Sequence, residues 1–153
     1  KDIKFELIGN LFFSQKKYYI KNLIKLNKLK KKLTWKKNIL HPQENMRAFD
    51  ILISTSKRES LPLSIIEALS MSIPVVSTDV GDVTYVLKKK KCGFVVNAEI
   101  YEFINIIKML KSNKKEMLKY CLNARKNVLN NFNIKDYKEK LEKELIFYFF
   151  FIK

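Results

Sequence analysis

Asp50-Ile51-Leu52-Ile53-Ser54-Thr55-Ser56-Lys57-Arg58-Glu59-Ser60-Leu61-Pro62-Leu63-Ser64-Ile65-Ile66-Glu67-Ala68-Leu69-Ser70-Met71-Ser72-Ile73-Pro74-Val75-Val76-Ser77 holds a strand, a loop, a helix and a second strand, in that order. Asp50–Ser54 is a short, continuous apolar run, the pattern of a strand covered on both faces. Leu61–Ser72 reads as a helix with Pro62 in its first turn, where a missing N–H costs nothing. Pro74–Ser77 is the next strand. A helix between two strands calls for parallel pairing, because a tight turn joins only antiparallel neighbours.

The same alternation extends outward. Upstream, Phe5–Ile8 reads as a strand ended by Gly9. Residues 17–33 form a lysine-rich amphipathic helix with Ile20, Leu23, Ile24 and Leu26 toward the core. Asn38-Ile39-Leu40 is expected to be a short strand, and Glu44–Phe49 a short helix. Downstream, residues 82–89 form a short helix and Gly93–Val96 a last strand. Helices follow near 99–112, 114–131 and 135–150. The prediction is an α/β fold, a Rossmann-like parallel sheet flanked by helices. The 153 residues suit one domain. The chain starts on Lys1 and runs at once into a strand, so an N-terminally truncated domain is expected.

Of the 31 basic residues only Arg47, Arg58 and Arg125 are arginine, and the formal net charge is +16. Nucleic-acid readers use arginine forks and aromatics along a groove. Lysine spread over helices reads instead as a solvated surface, so no nucleic-acid partner is expected; peripheral contact with an anionic membrane surface fits the charge. Cys92 and Cys121 show no CxxC spacing, and His41 is the only histidine, so no zinc site is expected. Reduced thiols in the cytoplasm are the simplest reading. No signal peptide is visible, and no run reaches the ~18 apolar residues of a membrane span. The tail Ile146-Phe147-Tyr148-Phe149-Phe150-Phe151-Ile152 suits packing against a partner surface better than water.

In open α/β sheets ligands sit beyond the carboxyl ends of the strands, near helix N-termini. The segments at that edge are Ser54–Pro62, Ser77–Asp82 and the loop after Gly9. Glu59 and Glu67 are separated by seven residues, so one lies before the helix and the other about a turn inside it. Carboxylates accept hydrogen bonds from hydroxyl pairs, the way a ribose or hexose is held. By spacing alone the two glutamates serve equally as solvated helix charges.

Their surroundings carry more. Glu59 to Ala68 resembles the signature of glycosyltransferase family 4, E-x7-E followed by Ala. The similarity runs on through Pro74-Val75-Val76-Ser77-Thr78-Asp79-Val80-Gly81, Cys92–Val96, and Asn123-Ala124-Arg125 with Phe132. The resemblance implies the C-terminal, donor-binding half of a GT-B glycosyltransferase. It implies transfer, with retention, of a sugar from a nucleotide-diphospho-sugar, without a metal or other cofactor, in polysaccharide or glycolipid synthesis. Glu59 would then contact the donor sugar as the catalytic residue and Glu67 the nucleotide ribose. The backbone around Ser60, Leu61, Pro62 and Leu63 would line the sugar and diphosphate, with the base near Lys37 and Asn38. An N-terminal acceptor domain would be the missing partner. Ser60 and Ser72 stand where the family often has glycine, and Tyr85 where it often has glutamate. The family's diphosphate-binding Arg and Lys have no counterpart before Phe5. Hence the alternative is a catalytically inactive piece that binds nucleotide-sugar or a partner chain.

The remaining candidates are plainer. Gly81 allows either backbone approach to a phosphate or a turn. Asp79 and Asp82 have no third ligand for a metal. Ser56 and Ser60 have no adjacent base. Arg58 suits a phosphate or bare solvent, and Trp35 reads as packing rather than as a stacking platform for a base.

Overall fold

The computed structural model describes residues 3–9, 14–26 and 31–151. The chain divides into two compact units, residues 1–45 and 46–153.

The first unit is a strand–helix–strand motif. β1 (Phe5–Ile8) pairs in parallel with β2 (Leu33–Lys36), Phe5 opposite Leu33 and Ile8 opposite Lys36, with α1 (Ser14–Leu26) between them. Trp35 is half-buried, its indole N–H donating to the Gly9 carbonyl at 3.0 Å, while the Lys37 ammonium lies 4.0 Å from the ring centre. Lys36 Nζ pairs with Glu6 at 2.8 Å and donates to Asn45 Oδ1 at 2.9 Å. α2 (Pro42–Met46) follows.

Several expectations are corrected here. The helix foreseen over 17–33 is α1, Ser14–Leu26; residues 27–30 lie outside the described ones, and Leu33 belongs to β2. Leu-Thr-Trp-Lys pairs as a strand because its β-branched and aromatic residues suit a pleat, a signal hidden by the flanking lysines. Leu23 is 37% exposed rather than core, and the packing of Leu26 lies outside the described side chains. Asn38-Ile39-Leu40 is no strand, since Asn38 has φ 53°, a left-handed conformation that ends extended backbone. The short helix is Pro42–Met46 instead of 44–49; the chain past it closes a turn through Phe49 N–H to the Met46 carbonyl, 2.8 Å.

The second unit is a parallel sheet in the order β3 (Leu52–Ser54), β4 (Val75–Thr78), β5 (Gly93–Val96). β4 is central and wholly buried. Its side chains alternate between faces. Val75 joins Ile65 and Leu69 of α3 (Leu63–Ser70), Val83, Val86 and Leu87 around α4 (Val83–Leu87), and Ala124 of α6 (Lys114–Asn131). Val76 joins Val96 and Phe103 of α5 (Ile100–Ser112). Helices therefore cover both faces, as a parallel sheet requires. α7 (Ile134–Phe151) carries the aromatic tail, whose side chains lie outside the described ones. β3 is half-exposed rather than buried, because in this unit it pairs on one side only. α3 begins at Leu63, with Pro62 capping it instead of lying in its first turn.

Helix ends are tied down by α6. Asn123 donates to the Lys91 carbonyl at 2.9 Å, and the buried Asn127 donates to the Val86 carbonyl at 3.2 Å. Arg125 donates to the Ser70 carbonyl, putting a cation on the C-terminal end of α3. That end closes as a Schellman turn: Ser72 N–H donates to the Leu69 carbonyl (3.0 Å) and Ile73 N–H to the Ala68 carbonyl (2.9 Å). Ser72 sits at its left-handed corner with φ 64°. A non-glycine residue there costs about 1 kcal/mol. Ser72→Gly should therefore raise the urea unfolding free energy by up to about 1 kcal/mol. An unchanged or lower midpoint would show that the serine side chain compensates for the strain.

Candidate functional site

Two segments leave the carboxyl edge of the second sheet. Thr55–Pro62 follows β3 and leads into α3; Asp79–Asp82 follows β4 and leads into α4. Between them lies an open cleft of about 600 Å³, lined by Lys57, Arg58, Glu59, Ser60, Asp79, Val80 and Gly81. The place is the one expected for a ligand on such a sheet.

The cleft depends on close packing of backbone. A Cβ on Gly81 would stand 1.8 Å from the Ser60 carbonyl oxygen and 2.5 Å from that of Glu59. Its φ is +47°, a conformation that side chains disfavour. Beside it, Asp82 N–H donates to the Ser60 carbonyl at 2.8 Å. Gly81 thus serves contact between the two loops, a use the sequence does not reveal. Across the cleft, Asp79 Oδ1 accepts from the Thr84 hydroxyl at 2.7 Å, which fixes one carboxylate of the wall.

Glu59, Ser60 and Gly81 come together in this cleft. Leu61, Pro62, Leu63 and Glu67 are not among its lining residues. Leu61 packs against the core, Pro62 is buried at the head of α3, and Leu63 is 78% exposed. Glu67 is half-buried on α3, and its backbone carbonyl accepts from the Ser70 hydroxyl at 2.6 Å. Asn38 belongs to the first unit, where it is exposed. Lys57, Arg58, Asp79 and Val80 also line the cleft; sequence reasoning weighed Arg58 evenly between a phosphate and solvent, considered Asp79 only as a metal ligand, and passed over Lys57 and Val80. Their signal was position alone, in the loops after β3 and β4.

Lys57, Arg58, Glu59 and Asp79 all line this solvent-open space, so the cleft offers both cations and carboxylates. Such a mixture suits a ligand carrying both anionic groups and hydroxyls. Among the described residues, no group of His, Cys, Asp and Glu is gathered closely enough to hold a metal ion. Burial pushes the Cys92 thiol up, with the Asn127 hydrogen bond offsetting part of the effect, and burial likewise raises Cys121. Neither cysteine is a lining residue of the cleft.

The sheet order and the covered strands define a Rossmann-like half-fold of the GT-B type. The family model for glycosyl transferases group 1 matches residues 1–128, and the chain belongs to that family. It is similar to the poly(ribitol-phosphate) alpha-N-acetylglucosaminyltransferase of Staphylococcus aureus, with 26% identity over 140 residues. That match covers 90% of this chain and 28% of the relative. Among solved structures, HepE of Anabaena in complex with UDP superposes with a TM-score of 0.84 at 22% identity, covering 94% of this chain and 40% of that one. A glycosyltransferase of Rickettsia africae gives 0.80 at 24% identity, covering 95% and 41%. TarM gives 0.78 at 24% identity, covering 92% and 28%. The chain thus spans well under half the length of these relatives.

Because Gly81 lies under the Ser60 carbonyl, Gly81→Ala must push the loops apart. Urea denaturation should show a loss of about 1–3 kcal/mol, the range of a strained backbone position. A loss below about 0.5 kcal/mol, ordinary for a neutral surface site, would contradict the close approach.

Proposed function

We propose that the chain is a single donor-binding domain of a retaining glycosyltransferase. It would take a sugar, of hexose or hexosamine type, from a nucleotide-diphospho-sugar and pass it to a polysaccharide or glycolipid acceptor. The observation that carries the reading is the cleft at the carboxyl ends of β3 and β4, where Arg58, Glu59 and Gly81 meet in a chain of this family. UDP is the favoured nucleotide, because HepE of Anabaena was crystallised with UDP and with UDP-glucose. The alpha linkage in the name of the S. aureus relative fits retention.

The chemistry follows from the charges. As the bond between the anomeric carbon and the phosphate oxygen breaks, negative charge gathers on the departing diphosphate. Preorganised cations and N–H donors stabilise that charge more than the ground state, and the difference lowers the barrier. Lys57 and Arg58 would supply cations, and the amides of Ser60, Leu61 and Leu63 would supply donors; Pro62 has only its carbonyl. Glu59 would hold the sugar hydroxyls and Glu67 the ribose. No cofactor is assigned. Acceptor binding would fall to an N-terminal domain beyond these residues. The reading places its work in the cytoplasm, and the +16 charge supports contact with an anionic membrane surface. Among the described residues no helix is long and apolar enough to cross a membrane.

Calorimetry with UDP and UDP-N-acetylglucosamine separates the two glutamates. Glu67→Gln should weaken both ligands about tenfold, the cost of one charged hydrogen bond, while Glu59→Gln weakens only the UDP-sugar by a similar factor. A wild-type chain that binds neither ligand, or a Glu67→Gln variant with unchanged UDP affinity, would refute these roles.

A further inference from the structure

Ladder pairing of β3 with β4 ends at Ser54 opposite Ser77. Past that point the two loops remain joined. The Thr78 hydroxyl donates to the Ser56 carbonyl at 2.6 Å, and Asp82 N–H donates to the Ser60 carbonyl at 2.8 Å. The two anchored carbonyls bracket Lys57, Arg58 and Glu59, three exposed charged residues of the cleft. Their loop is therefore pinned at both ends by the segment after β4. One pin is backbone to backbone and closes over Gly81; the other depends on a single side chain. Thr78 is 7% exposed, so water cannot readily replace its hydroxyl, and a half-buried carbonyl without a partner is costly.

We propose that Thr78 is a positioning residue of the donor site. Acting through the Ser56 carbonyl, it sets the path of the loop that presents Lys57, Arg58 and Glu59. Discrimination between the sugar-bearing donor and the bare nucleotide then depends on a side chain outside the cleft lining. The inference rests on the nucleotide-sugar reading, in which Glu59 meets the sugar while Glu67 meets the ribose from α3. A loop freed at Ser56 keeps the helix contact, loosens the cations of Lys57 and Arg58 and loses the sugar contact most, since a binding geometry must be held within about 0.5 Å to be effective.

Thr78→Val keeps the shape and removes the hydroxyl; Thr78→Ser keeps the hydroxyl. In hydrogen exchange on the unliganded chain, the peptide spanning residues 55–62 should exchange about tenfold faster in Thr78→Val than in wild type, while Thr78→Ser restores protection. In calorimetry, Thr78→Val should raise the Kd for UDP-N-acetylglucosamine about tenfold and that for UDP, which keeps the Glu67 contact but loses part of its hold from Lys57 and Arg58, only about threefold, with Thr78→Ser near wild type. If Thr78→Val does not fold, Thr78→Cys, which keeps a weak donor and similar volume, should show the same pattern in smaller measure. Unchanged exchange in the loop overturns the proposal, as does equal weakening of UDP and UDP-sugar, which would mark a general loss of structure. A wild-type chain that binds neither ligand contradicts the nucleotide-sugar reading instead; the exchange result alone then decides whether Thr78 holds the loop.

Discussion

Where the chain leaves β4, Gly81 lies so close under the Ser60 carbonyl that a methyl group would stand 1.8 Å from the oxygen. The site depends on that contact. It brings the segment after β3 against the segment after β4, and the cleft is the space left between them. The sheet supplies the frame: β4, buried on both faces, fixes the direction in which both loops emerge. Asp79 is held by the Thr84 hydroxyl, whereas Lys57, Arg58 and Glu59 stand exposed on their loop. Their placement is inherited from backbone pinned beneath.

That frame is itself fastened from one side. α6 reaches α3 through Arg125 on the Ser70 carbonyl, and the corner between α4 and β5 through Asn123 on the Lys91 carbonyl and Asn127 on the Val86 carbonyl. Ser72 and Lys91, the left-handed corners entering β4 and β5, both lie beside these tethers. Strained corners persist when neighbours over-determine them, and here α6 provides the neighbours. The Asn-Ala-Arg stretch thus has a physical role: Arg125 satisfies a carbonyl at the end of α3 and Asn123 one in the turn before β5, while Ala124 lets α6 come close to the core.

The order β3, α3, β4 was legible because its elements are nearly pure in signal. Val75-Val76 is an unbroken apolar pair, Pro62 marks the start of α3, and Ile65, Ala68 and Leu69 fall on one helical face. Leu33-Thr34-Trp35-Lys36 was lost because its strand character competes with lysines on both sides, and because pairing with β1 is a long-range event no window contains. Glu59 could be placed on a ligand-facing loop from the sequence. The company of Lys57, Arg58 and Asp79 could not, since it arises from how two loops fold toward each other. Spacing put Glu67 about a turn inside its helix but said nothing of which way the side chain turns, and it is not among the residues lining the cleft. The role of Thr78 left no trace in the sequence, because a hydroxyl aimed at a backbone carbonyl looks like any other strand-end threonine.

The most direct test of the donor-site account is an NMR titration of the 15N-labelled chain with UDP-N-acetylglucosamine at two salt concentrations. The account predicts saturable amide shifts centred on Lys57 to Leu63 and Gly81, persisting at the higher salt. Shifts scattered over the lysine-bearing helices α5 to α7 and erased by salt would contradict it, since they would mark the ligand as one more anion at a basic surface.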